Sequence, residues 1–545
     1  MKTFIVTATP PTTNGDLHIG HLSGPYLAAD VFSRFQKMKG NNVIYSTSGD
    51  DHQTYIATTA KRKGWTPEKL VEYYTKKVQD TLGAASINLN IFSNSLNNQE
   101  HINFVQSFFK KLYNKGVFVE KQKEIHFCNN CDQYLFESFI KGECPYCNEN
   151  ASGNLCEACG RINDPIELIN PVCGLCGETP TISSYKGLFF PLENYRDQLV
   201  EYYNSRVSWR PHLKELCNWI VSRPIRDYPV TYPTKWGIPV PIKGYTNQCI
   251  NVWFEMYPGH IVTTNKWLQL NGSNFSVENL CENNVTLVQF LGYDNSFFNA
   301  VLHVATCFAI DEGYLLPEHI ITNEFYLLEH AKFSTSRDHA IWGSDLLKEV
   351  PADSLRYYVC RTNPEHTQTN FSLKDFNQIR KDELEDTWFN TISTFIEIIK
   401  ETSMDLSLFN DYIDLKAKAT VSWAKKSLES FYDINHFSLR QASQVLHEYL
   451  QICKDYLDTQ VIPVKDINMK IYLQRLTSLG YMIQALIYFA QPILPSFSMT
   501  LKEALGVDVA SNQNLNWENI EKIKFDNTNI NVVKNWFCET KKVMQ

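Results

Sequence analysis

Residues 11–21, Pro-Thr-Thr-Asn-Gly-Asp-Leu-His-Ile-Gly-His, decide the fold of this chain. They follow a short β-rich run, Thr3–Ala8, which two consecutive prolines end. A helical pattern then continues from about Ile19 to Met38, and a second strand candidate follows at Asn42–Thr47. Strand, loop, helix and strand in this order are typical of a parallel βαβ unit in a doubly wound α/β fold. Such folds bind ligands beyond the carboxyl ends of their strands, where this loop lies.

The loop also carries two histidines, His18 and His21, that can face one ligand from the first turn of the helix. A helix start offers unpaired amide groups and a positive dipole end, which suit phosphates. Gly20 between them lets a flat base approach the backbone closely. A lone His-x-x-His pair is weak evidence, but its position after a strand favours a nucleotide site.

Four Cys-x-x-Cys pairs lie close together in the middle of the chain. They are Cys128/Cys131, Cys144/Cys147, Cys156/Cys159 and Cys173/Cys176. Two such pairs complete the tetrahedral shell of a structural zinc and leave no open position for catalysis. The spacing therefore predicts two structural zinc ions, and it disfavours the alternatives, a disulfide framework or buried free thiols.

Length and composition limit the classes of protein that remain. At 545 residues the chain is too long for one core and should form three or four domains. We find no convincing export signal, and the longest apolar stretch, Leu479–Ile493, is too short to span a bilayer. Reduced thiols then predict a cytoplasmic protein without a membrane segment. The net charge of −8 means that any nucleic-acid contact must be a local patch.

Beyond the first unit, the cysteine-rich segment interrupts the α/β pattern, which then resumes. Asn251–Phe254 and Leu287–Leu291 are further strand candidates. From about Lys374 the chain turns helical, with apolar residues at spacings of three and four that predict a helix bundle. These stripes are Leu384, Trp388, Ile392, Phe395 and Ile398, and Leu473, Leu476, Leu479, Ile483 and Leu486.

Several of these motifs together resemble one family. His18-Ile19-Gly20-His21 resembles the HIGH motif of class I aminoacyl-tRNA synthetases, and residues 332–337, Lys-Phe-Ser-Thr-Ser-Arg, resemble their KMSKS loop. The zinc knuckles, the run Lys235–Pro241 and Val252-Trp253-Phe254 are similar to methionyl-tRNA synthetase in particular. The resemblance implies a Rossmann fold split by a zinc-knuckle insertion and followed by an α-helical bundle.

The resemblance also implies five regions. Residues 1–113 and 233–325 would be the two halves of the Rossmann catalytic domain. Residues 114–232 would be the connective insertion with two zinc knuckles. Residues 326–383 would carry the KMSKS-like loop and a stem-contact region, and 384–545 an anticodon-binding-like helical domain.

The implied reaction is ATP-dependent amino-acid activation. A carboxylate attacks the α-phosphate of ATP, giving an aminoacyl-adenylate and pyrophosphate, and the acyl group then passes to a tRNA or another acceptor. Catalysis is then positioning and charge stabilisation, by the catalytic residues His18, His21 and Lys332 and by Mg²⁺. The implied ATP-binding residues are Asn14, Gly20, Asp294, Ser334, Ser336 and Arg337. In this family the second and third cysteine pairs share one Zn²⁺, and the first and fourth share the other.

The implied amino-acid pocket departs from the family. Its positions are Pro10, Thr12, Asp50, Trp253, Tyr257, His260, Phe298, Asn299 and His303, with Met256 beside them. Asp50, which would pair with the substrate's α-ammonium group, is kept, as are Trp253 and Phe298. The other seven differ, and His260, Asn299 and His303 replace aromatic surface with hydrogen-bonding groups. Where the family has a leucine and a tyrosine, this chain has Pro10 and Thr12. Where the family has Ala, Pro and Tyr, it has Met256, Tyr257 and His260. A histidine and a tryptophan of the family are replaced by Asn299 and His303.

Buried polar groups must be paired, and a thioether is too weak an acceptor to pair several of them. We therefore predict an amino acid with a polar or otherwise modified side chain, activated for use in a biosynthetic pathway. Neutral drift, with waters filling the gaps, is the alternative. Thr335, where the family has a second lysine, predicts slower activation by roughly 10- to 100-fold.

The helical domain departs too. Residues 388–393 do not reproduce the family's anticodon-reading pair cleanly, and Val464 stands where a tryptophan should stack on a base. Reading of a methionine anticodon is therefore doubtful, so the acceptor could be a tRNA, a small amine or a carrier protein. Two other interpretations stay open, an authentic methionine–tRNA ligase and a catalytically silent tRNA-binding paralogue. We expect a monomer.

Overall fold

A computed structural model describes the protein over residues 2–272, 285–311, 315–329, 331–332 (backbone only), 341–402, 404–464, 468–507 and 515–527. A parallel sheet lies at its centre, with strands in the spatial order Pro317–Asn323, Val285–Gly292, Thr3–Ala8, Asn42–Ser48 and Ile91–Ser93. Thr3–Ala8 is the middle strand, and the chain adds strands first on one side of it and then on the other. Its carboxyl end is therefore the switch point where such sheets bind ligands. The predicted α/β fold is confirmed.

The long helical pattern after the loop forms as predicted, with one irregularity. Ile19–His21 leads into a π-helical turn, Leu22–Tyr26, and then into Leu27–Met38. Pro25 interrupts the hydrogen-bond ladder there because it has no N–H group. A Cβ atom on Gly24 would lie 2.8 Å from Oδ1 of Asn323 on a neighbouring strand, so a larger residue at this turn would require that side chain to move.

One strand prediction is wrong. Asn251–Phe254 begins a helix, Val252–Leu270, instead of forming a strand, and the strand ends earlier, at Cys249–Ile250. The side chain of Asn251 accepts a hydrogen bond from the Trp253 N–H group at 3.0 Å, so it caps the helix. Capping therefore overrides the β propensity of Val252, Trp253 and Phe254. The prediction at Leu287–Leu291 is confirmed by Val285–Gly292.

Helices cover the sheet on both faces and continue into the region after it. They are Thr54–Lys63, Pro67–Ala84, Gln99–Asn114, Arg196–Ser205, Pro211–Val221, the π turn Phe298–Leu302 with His303–Ile310, Gly343–Glu349 and Ala352–Arg361. A small sheet of Tyr326–Leu328, Ala331–Lys332 and Thr369–Phe371 follows the last strand of the central sheet.

The insertion is a separate β-rich layer. Its main sheet has the order Tyr228–Pro229, Thr181–Phe190, Val119–Cys128 and Gln133–Leu135, with antiparallel neighbours. The short strands that carry the knuckles are Ile140–Glu143, Asn150–Ser152, Asn154–Leu155, Ile162–Asn163 and Ile169–Cys173. Thr231–Tyr232 pairs with Cys249–Ile250 and returns the chain to the catalytic region.

The last third is the predicted helix bundle. A continuous helical run, Leu373–Ile379, Arg380–Phe389 and Asn390–Glu401, contains residue 384, so the predicted domain boundary falls inside a helix. The later helices are Leu415–Tyr432, Leu439–Tyr456, Met469–Ala490 and Pro495–Ala504. In the part of the chain that is described, no helix has both the length and the apolarity to cross a bilayer.

Arg356 ties the bundle to the Rossmann region. Its guanidinium group is almost fully buried and donates to Oδ2 of Asp30 at 2.8 Å and to the Ile493 carbonyl at 2.7 Å. Asp30 lies on the first long helix and Ile493 follows the bundle helix Met469–Ala490. A buried ion pair with satisfied hydrogen bonds fixes the two parts at this point.

Candidate active site

The two histidines of the loop lie against each other at the start of the first helix. Their rings stack with centroids 3.7 Å apart, and the His18 N–H group donates to Nδ1 of His21 at 3.2 Å. Burial lowers the pKa of His18 well below its usual value and that of His21 to about 4. Both imidazoles are therefore neutral at neutral pH, and neutral rings can still donate to phosphate oxygens. Gly20 lies between them, and Asn14 closes the preceding turn by donating to the Thr12 carbonyl at 2.9 Å.

A buried aspartate that the sequence did not single out holds this loop in place. Asp51 accepts hydrogen bonds from Thr13 Oγ1 at 2.8 Å, from the Ser95 N–H group at 2.8 Å and from the Leu96 N–H group at 3.2 Å. On the other flank, Asp16 accepts from Thr81 Oγ1 at 2.7 Å. The loop is thus fixed to two neighbouring segments, which positions its histidines before any ligand arrives.

Asp50 follows the neighbouring strand at the same edge of the sheet. Its N–H group donates to the Pro11 carbonyl at 3.0 Å, and Thr12 Oγ1 lies 3.4 Å from its carboxylate. The side chain is buried, and burial together with the nearby carboxylate of Glu255 raises its pKa well above the usual value. An incoming ammonium group would relieve both effects, as the predicted contact with an amino acid requires.

Asp294 lies at this edge too, in the turn Tyr293–Asn295 that follows the strand Val285–Gly292. Asn295 Nδ2 donates to its Oδ1 at 3.0 Å. A Cβ atom on Gly292 would lie 2.6 Å from that oxygen, so glycine is needed for this carboxylate position. Because the strand pairs directly with Thr3–Ala8, Asp294 and the histidine loop share one edge.

The KMSKS-like segment is described only at its start. The backbone of Lys332 belongs to the short strand Ala331–Lys332, which pairs with Tyr326–Leu328. Ser334, Thr335, Ser336 and Arg337 lie outside the described residues. Their predicted contacts with ATP stay predictions.

The predicted amino-acid pocket begins with two aromatic rings. Trp253 and Phe298 stack with centroids 3.6 Å apart and an interplanar angle of 9°. Trp253 is in the first turn of the helix Val252–Leu270, and Phe298 begins the helical run that ends at Ile310. The two helices follow strands that orient them, and they meet at this pair of rings.

The polar positions of the pocket lie on the same two helices. Tyr257 donates to the Leu315 carbonyl at 3.3 Å, and its ring centroid is 5.7 Å from that of His303. Asn299 Nδ2 donates to the Asn295 carbonyl at 3.0 Å. The Nδ1 atoms of His260 and His303 are buried and have no protein partner.

Both of these imidazoles are uncharged. Burial lowers the pKa of His260 to about 4 and, with the neighbouring His260, that of His303 to about 3. His303 Nε2 lies 3.4 Å from the Trp253 carbonyl, close to the outer limit of a hydrogen bond. Pro10 is buried beside the loop and Met256 lies on the same helix as Tyr257.

Behind the pocket lies a triad that the sequence did not reveal. Oε1 of Glu255 accepts from His52 Nδ1 at 2.9 Å and from His101 Nε2 at 2.8 Å, and all three side chains are buried. These pairs lower the pKa of Glu255 to about 2 against the effect of burial, and they raise the pKa of His52. The triad fastens the helix that carries Trp253 to the loop that carries Asp50.

The eight cysteines form two clusters with the predicted pairing. Cys128, Cys131, Cys173 and Cys176 form one, and Cys144, Cys147, Cys156 and Cys159 form the other, with all sulfurs of a cluster within 4.8 Å of one another. None of these thiols is in a disulfide. Four ligands around Zn²⁺ at about 2.3 Å place their sulfurs about 3.8 Å apart, and observed separations include 3.6 and 4.0 Å.

Each knuckle turn ends with a residue suited to the left-handed backbone conformation. The residues after the second cysteines are Asp132, Asn148, Gly160 and Gly177, with φ values of 50°, 61°, 68° and 81°. Asn, Asp and Gly tolerate this conformation best. The sequence therefore closes every turn around its thiolate pair, and both clusters fit structural zinc.

One knuckle contacts the turn that carries Asp294. A Cβ atom on Gly160 would lie 2.9 Å from the ring of Tyr293, so only glycine fits there. His212 stacks on the same Tyr293 ring with centroids 3.6 Å apart. Nδ1 of His212 lies 2.8 Å from Oε1 of Glu324. The insertion thus supports one wall of the predicted nucleotide site.

Comparisons with known proteins agree with this architecture. Residues 4–396 match the family model described as tRNA synthetases class I (M). The methionine–tRNA ligase of Thermomicrobium roseum is 33% identical over 393 residues, which are 72% of this chain and 67% of that protein. That of Methanopyrus kandleri is 30% identical over 529 residues, covering 95% and 77%.

Solved structures show the same fold. Mycobacterium tuberculosis methionyl-tRNA synthetase bound by methionyl-adenylate superposes with a TM-score of 0.74 at 16% identity, covering 94% of this chain and 96% of that one. The family model spans most of the chain, and relatives at about 30% identity span nearly all of it. This chain is therefore a ligase that belongs to the methionyl-tRNA synthetase family of class I aminoacyl-tRNA synthetases.

Proposed function

We propose that this protein activates an amino acid as its adenylate, with ATP bound across the start of the first long helix. His18 and His21 donate to the phosphates, and Asp294 holds the ribose. Lys332 supplies a cation from the KMSKS-like segment, and Mg²⁺ offsets the remaining negative charge. The arrangement of these residues around one sheet edge supports the proposal.

The substrate we propose is an amino acid with a polar or otherwise modified side chain. Asp50 binds its α-ammonium group, and the Trp253–Phe298 pair forms one wall beside its side chain. The observation that carries this proposal is the pair of buried, uncharged imidazoles, His260 and His303, whose Nδ1 atoms have no protein partner. Nε2 of His303 faces the Trp253 carbonyl and so carries the proton, which leaves its Nδ1 as an acceptor, and a methionine thioether has no N–H or O–H group to donate to it. A site built for hydrogen bonds selects against ligands without them.

A second candidate substrate is methionine itself. Identity of 30–33% to methionine–tRNA ligases and the retention of Asp50, Trp253 and Phe298 favour it. It predicts strong activation of methionine and charging of a tRNA with a methionine anticodon.

The remaining parts of the proposal concern partners. We propose two structural Zn²⁺ ions in the insertion and a tRNA, or another acyl acceptor, as the second substrate. Trp388 is fully buried in the bundle core, which does not favour a role for it in base stacking. We further propose that the protein works as a monomer in the cytoplasm.

ATP–pyrophosphate exchange across a panel of amino acids tests the proposal. Polar side chains should give the highest kcat/KM, and methionine as the clearly preferred substrate would refute that choice. Asp50→Asn should abolish exchange with every amino acid, because it removes the ammonium partner without changing side-chain size. The matched control, Glu318→Gln, removes an exposed carboxylate from an outer strand and should leave exchange unchanged.

The same assay separates the silent paralogue from both enzymes. A silent protein would give no exchange with any amino acid, yet would still bind tRNA in a salt-dependent manner. His303→Gln keeps a hydrogen-bonding side chain but changes its geometry. It should alter the ratio of kcat/KM values between amino acids more than it alters KM for ATP.

A further inference from the structure

A cavity of about 750 Å³ lies between the zinc insertion and the helix Pro211–Val221. Tyr146 and Arg161 line it from the insertion, and Trp219 and Arg223 line it from the end of the helix and the residues after it. Its volume is in the range of small-molecule sites. None of these four residues takes part in the amino-acid or ATP contacts proposed above.

Two cations meet on one aromatic ring in this cavity. The guanidinium carbon of Arg161 lies 4.3 Å from the Trp219 ring centroid, and that of Arg223 lies 4.2 Å from it. Arg161 also lies 5.7 Å from the ring of Tyr146. Stacking leaves the N–H groups at the edges of a guanidinium group available to an anion.

The two arginines differ from the other cations of the cavity. Arg226 pairs with Glu167 at 2.6 Å, and Lys123 pairs with Asp164. Among the described carboxylates, none forms an ion pair with Arg161 or Arg223.

The acidic residues on the cavity wall do not pair with Arg161 or Arg223. They are Glu124, Asp164 and Asp227, and the last two are paired with Lys123 and Lys121. Arg161 and Arg223 therefore bring two guanidinium groups together at the Trp219 end of the cavity.

A neutral donor adds an independent indication of a ligand. Asn163 lines the cavity and is 5% exposed, and its Nδ2 atom has no partner in the protein. Its Oδ1 atom is already used, because it accepts from the Asn154 N–H group at 3.0 Å. The amide orientation is thus fixed with the N–H₂ group unpaired, and an unpaired buried donor calls for an acceptor.

We propose that this cavity binds a nucleoside 5′-phosphate, either free or as the unpaired terminal nucleotide of an RNA. Arg161 and Arg223 bind the phosphate through charge-assisted hydrogen bonds, and Asn163 donates to an acceptor of the ligand. Tyr146 is 39% exposed at the cavity rim, and its aromatic ring is the group on which a base would stack. This site is separate from the proposed ATP site and does not depend on which amino acid is activated.

Isothermal titration of the whole protein with uridine 5′-monophosphate and with a single-stranded tetraribonucleotide tests the proposal. Arg161→Gln, Arg223→Gln and Asn163→Asp should each weaken binding roughly 10- to 100-fold, the effect of losing a charge-assisted hydrogen bond or of placing a carboxylate against the phosphate. Asn163→Asp keeps the acceptor that Asn154 uses, so folding should be retained, and thermal unfolding checks this. Arg206→Gln is the matched control, since Arg206 stacks on Tyr202 at 4.6 Å outside the cavity.

Each outcome decides the matter. Binding of both probes with similar affinity indicates a free nucleotide, and clearly tighter binding of the tetraribonucleotide indicates an RNA end. Binding that the three cavity variants leave unchanged, or no binding of either probe, would overturn the site. Amino-acid-dependent exchange needs neither probe, so failure of the proposed function would be seen separately.

Discussion

Glu255→Gln should destabilise the protein in a pH-dependent way. The side chain keeps its size, but its negative charge between His52 and His101 is lost. The pKa of Glu255 lies at about 2 instead of the usual 4.5, a difference that corresponds to about 3 kcal/mol of stabilisation by the ionised form. The raised pKa of His52 reports the same contact and is not added to this figure. All three groups are buried, so solvent screens the interaction little.

The sign of the pH dependence follows from the two shifts. The carboxylate contribution is present above pH 4.5 and is lost as the pH falls towards about 2. The His52 contribution is complete below its unfolded pKa of about 6.5 and is lost as the pH rises through its higher folded value. The loss caused by Glu255→Gln should therefore be greatest between about pH 4.5 and 6.5 and smaller at about pH 9.

Urea unfolding of the wild type and the variant at pH 5.5 and pH 9 measures this difference. Glu201→Gln, which removes an exposed carboxylate from the helix Arg196–Ser205, is the matched control and should stay within about 0.5 kcal/mol of the wild type. A Glu255→Gln penalty below about 0.5 kcal/mol, or one that is equal at both pH values, would refute the reasoning.

Three further changes probe other parts of the molecule. Cys144→Ser should lower the zinc content from about two ions per chain to about one by atomic absorption, because it removes one ligand of one cluster, and an unchanged content would contradict the assignment. Asp51→Asn should raise KM for ATP in the exchange assay by roughly 10-fold or more, since it weakens the bonds that hold the loop, and an unchanged KM would contradict that role. Arg356→Met should lower the free energy of unfolding by about 3 kcal/mol, because it removes the buried donor of the Ile493 and Pro492 carbonyls and one of the two arginines that pair with Asp30, the other being Arg34. The exposed Lys418→Met is its control, and equal penalties for the two would contradict the buried ion pair.

Local signals predicted the central sheet, the cysteine clusters and the bundle well. Two prolines follow Thr3–Ala8, so the strand ends where the β-rich pattern ends. The cysteine pairing came from the family resemblance, and the sulfur positions agree with it. The strand prediction at Asn251–Phe254 failed because the Asn251 side chain accepts a hydrogen bond from the Trp253 N–H group and so starts a helix. Periodicity over four residues cannot distinguish such a helix start from a loop that precedes a strand.

Contacts between distant residues were beyond local patterns. Glu255 binds His52 and His101, which lie 203 and 154 residues away along the chain, and no spacing rule connects them. Asp51 gave a weak signal as the second of two acidic residues after the strand and Gly49, and the functional interpretation was given to the first, Asp50. A buried carboxylate next to such a strand end can have a structural role as readily as a catalytic one.

The position of each group also bears on the proposed change of substrate. Asp50, Asp294 and the histidine loop follow strands of the central sheet, where hydrogen-bond ladders fix them. His260 and His303 instead lie on helices that pack beside the sheet edge. In the proposed function, substitutions there would change the side-chain pocket while the groups proposed to bind the ammonium, the ribose and the phosphates stay in place. The proposed function therefore places selection of the amino acid and formation of the adenylate on different elements, so the proposed change of substrate would leave the adenylate-forming groups unchanged.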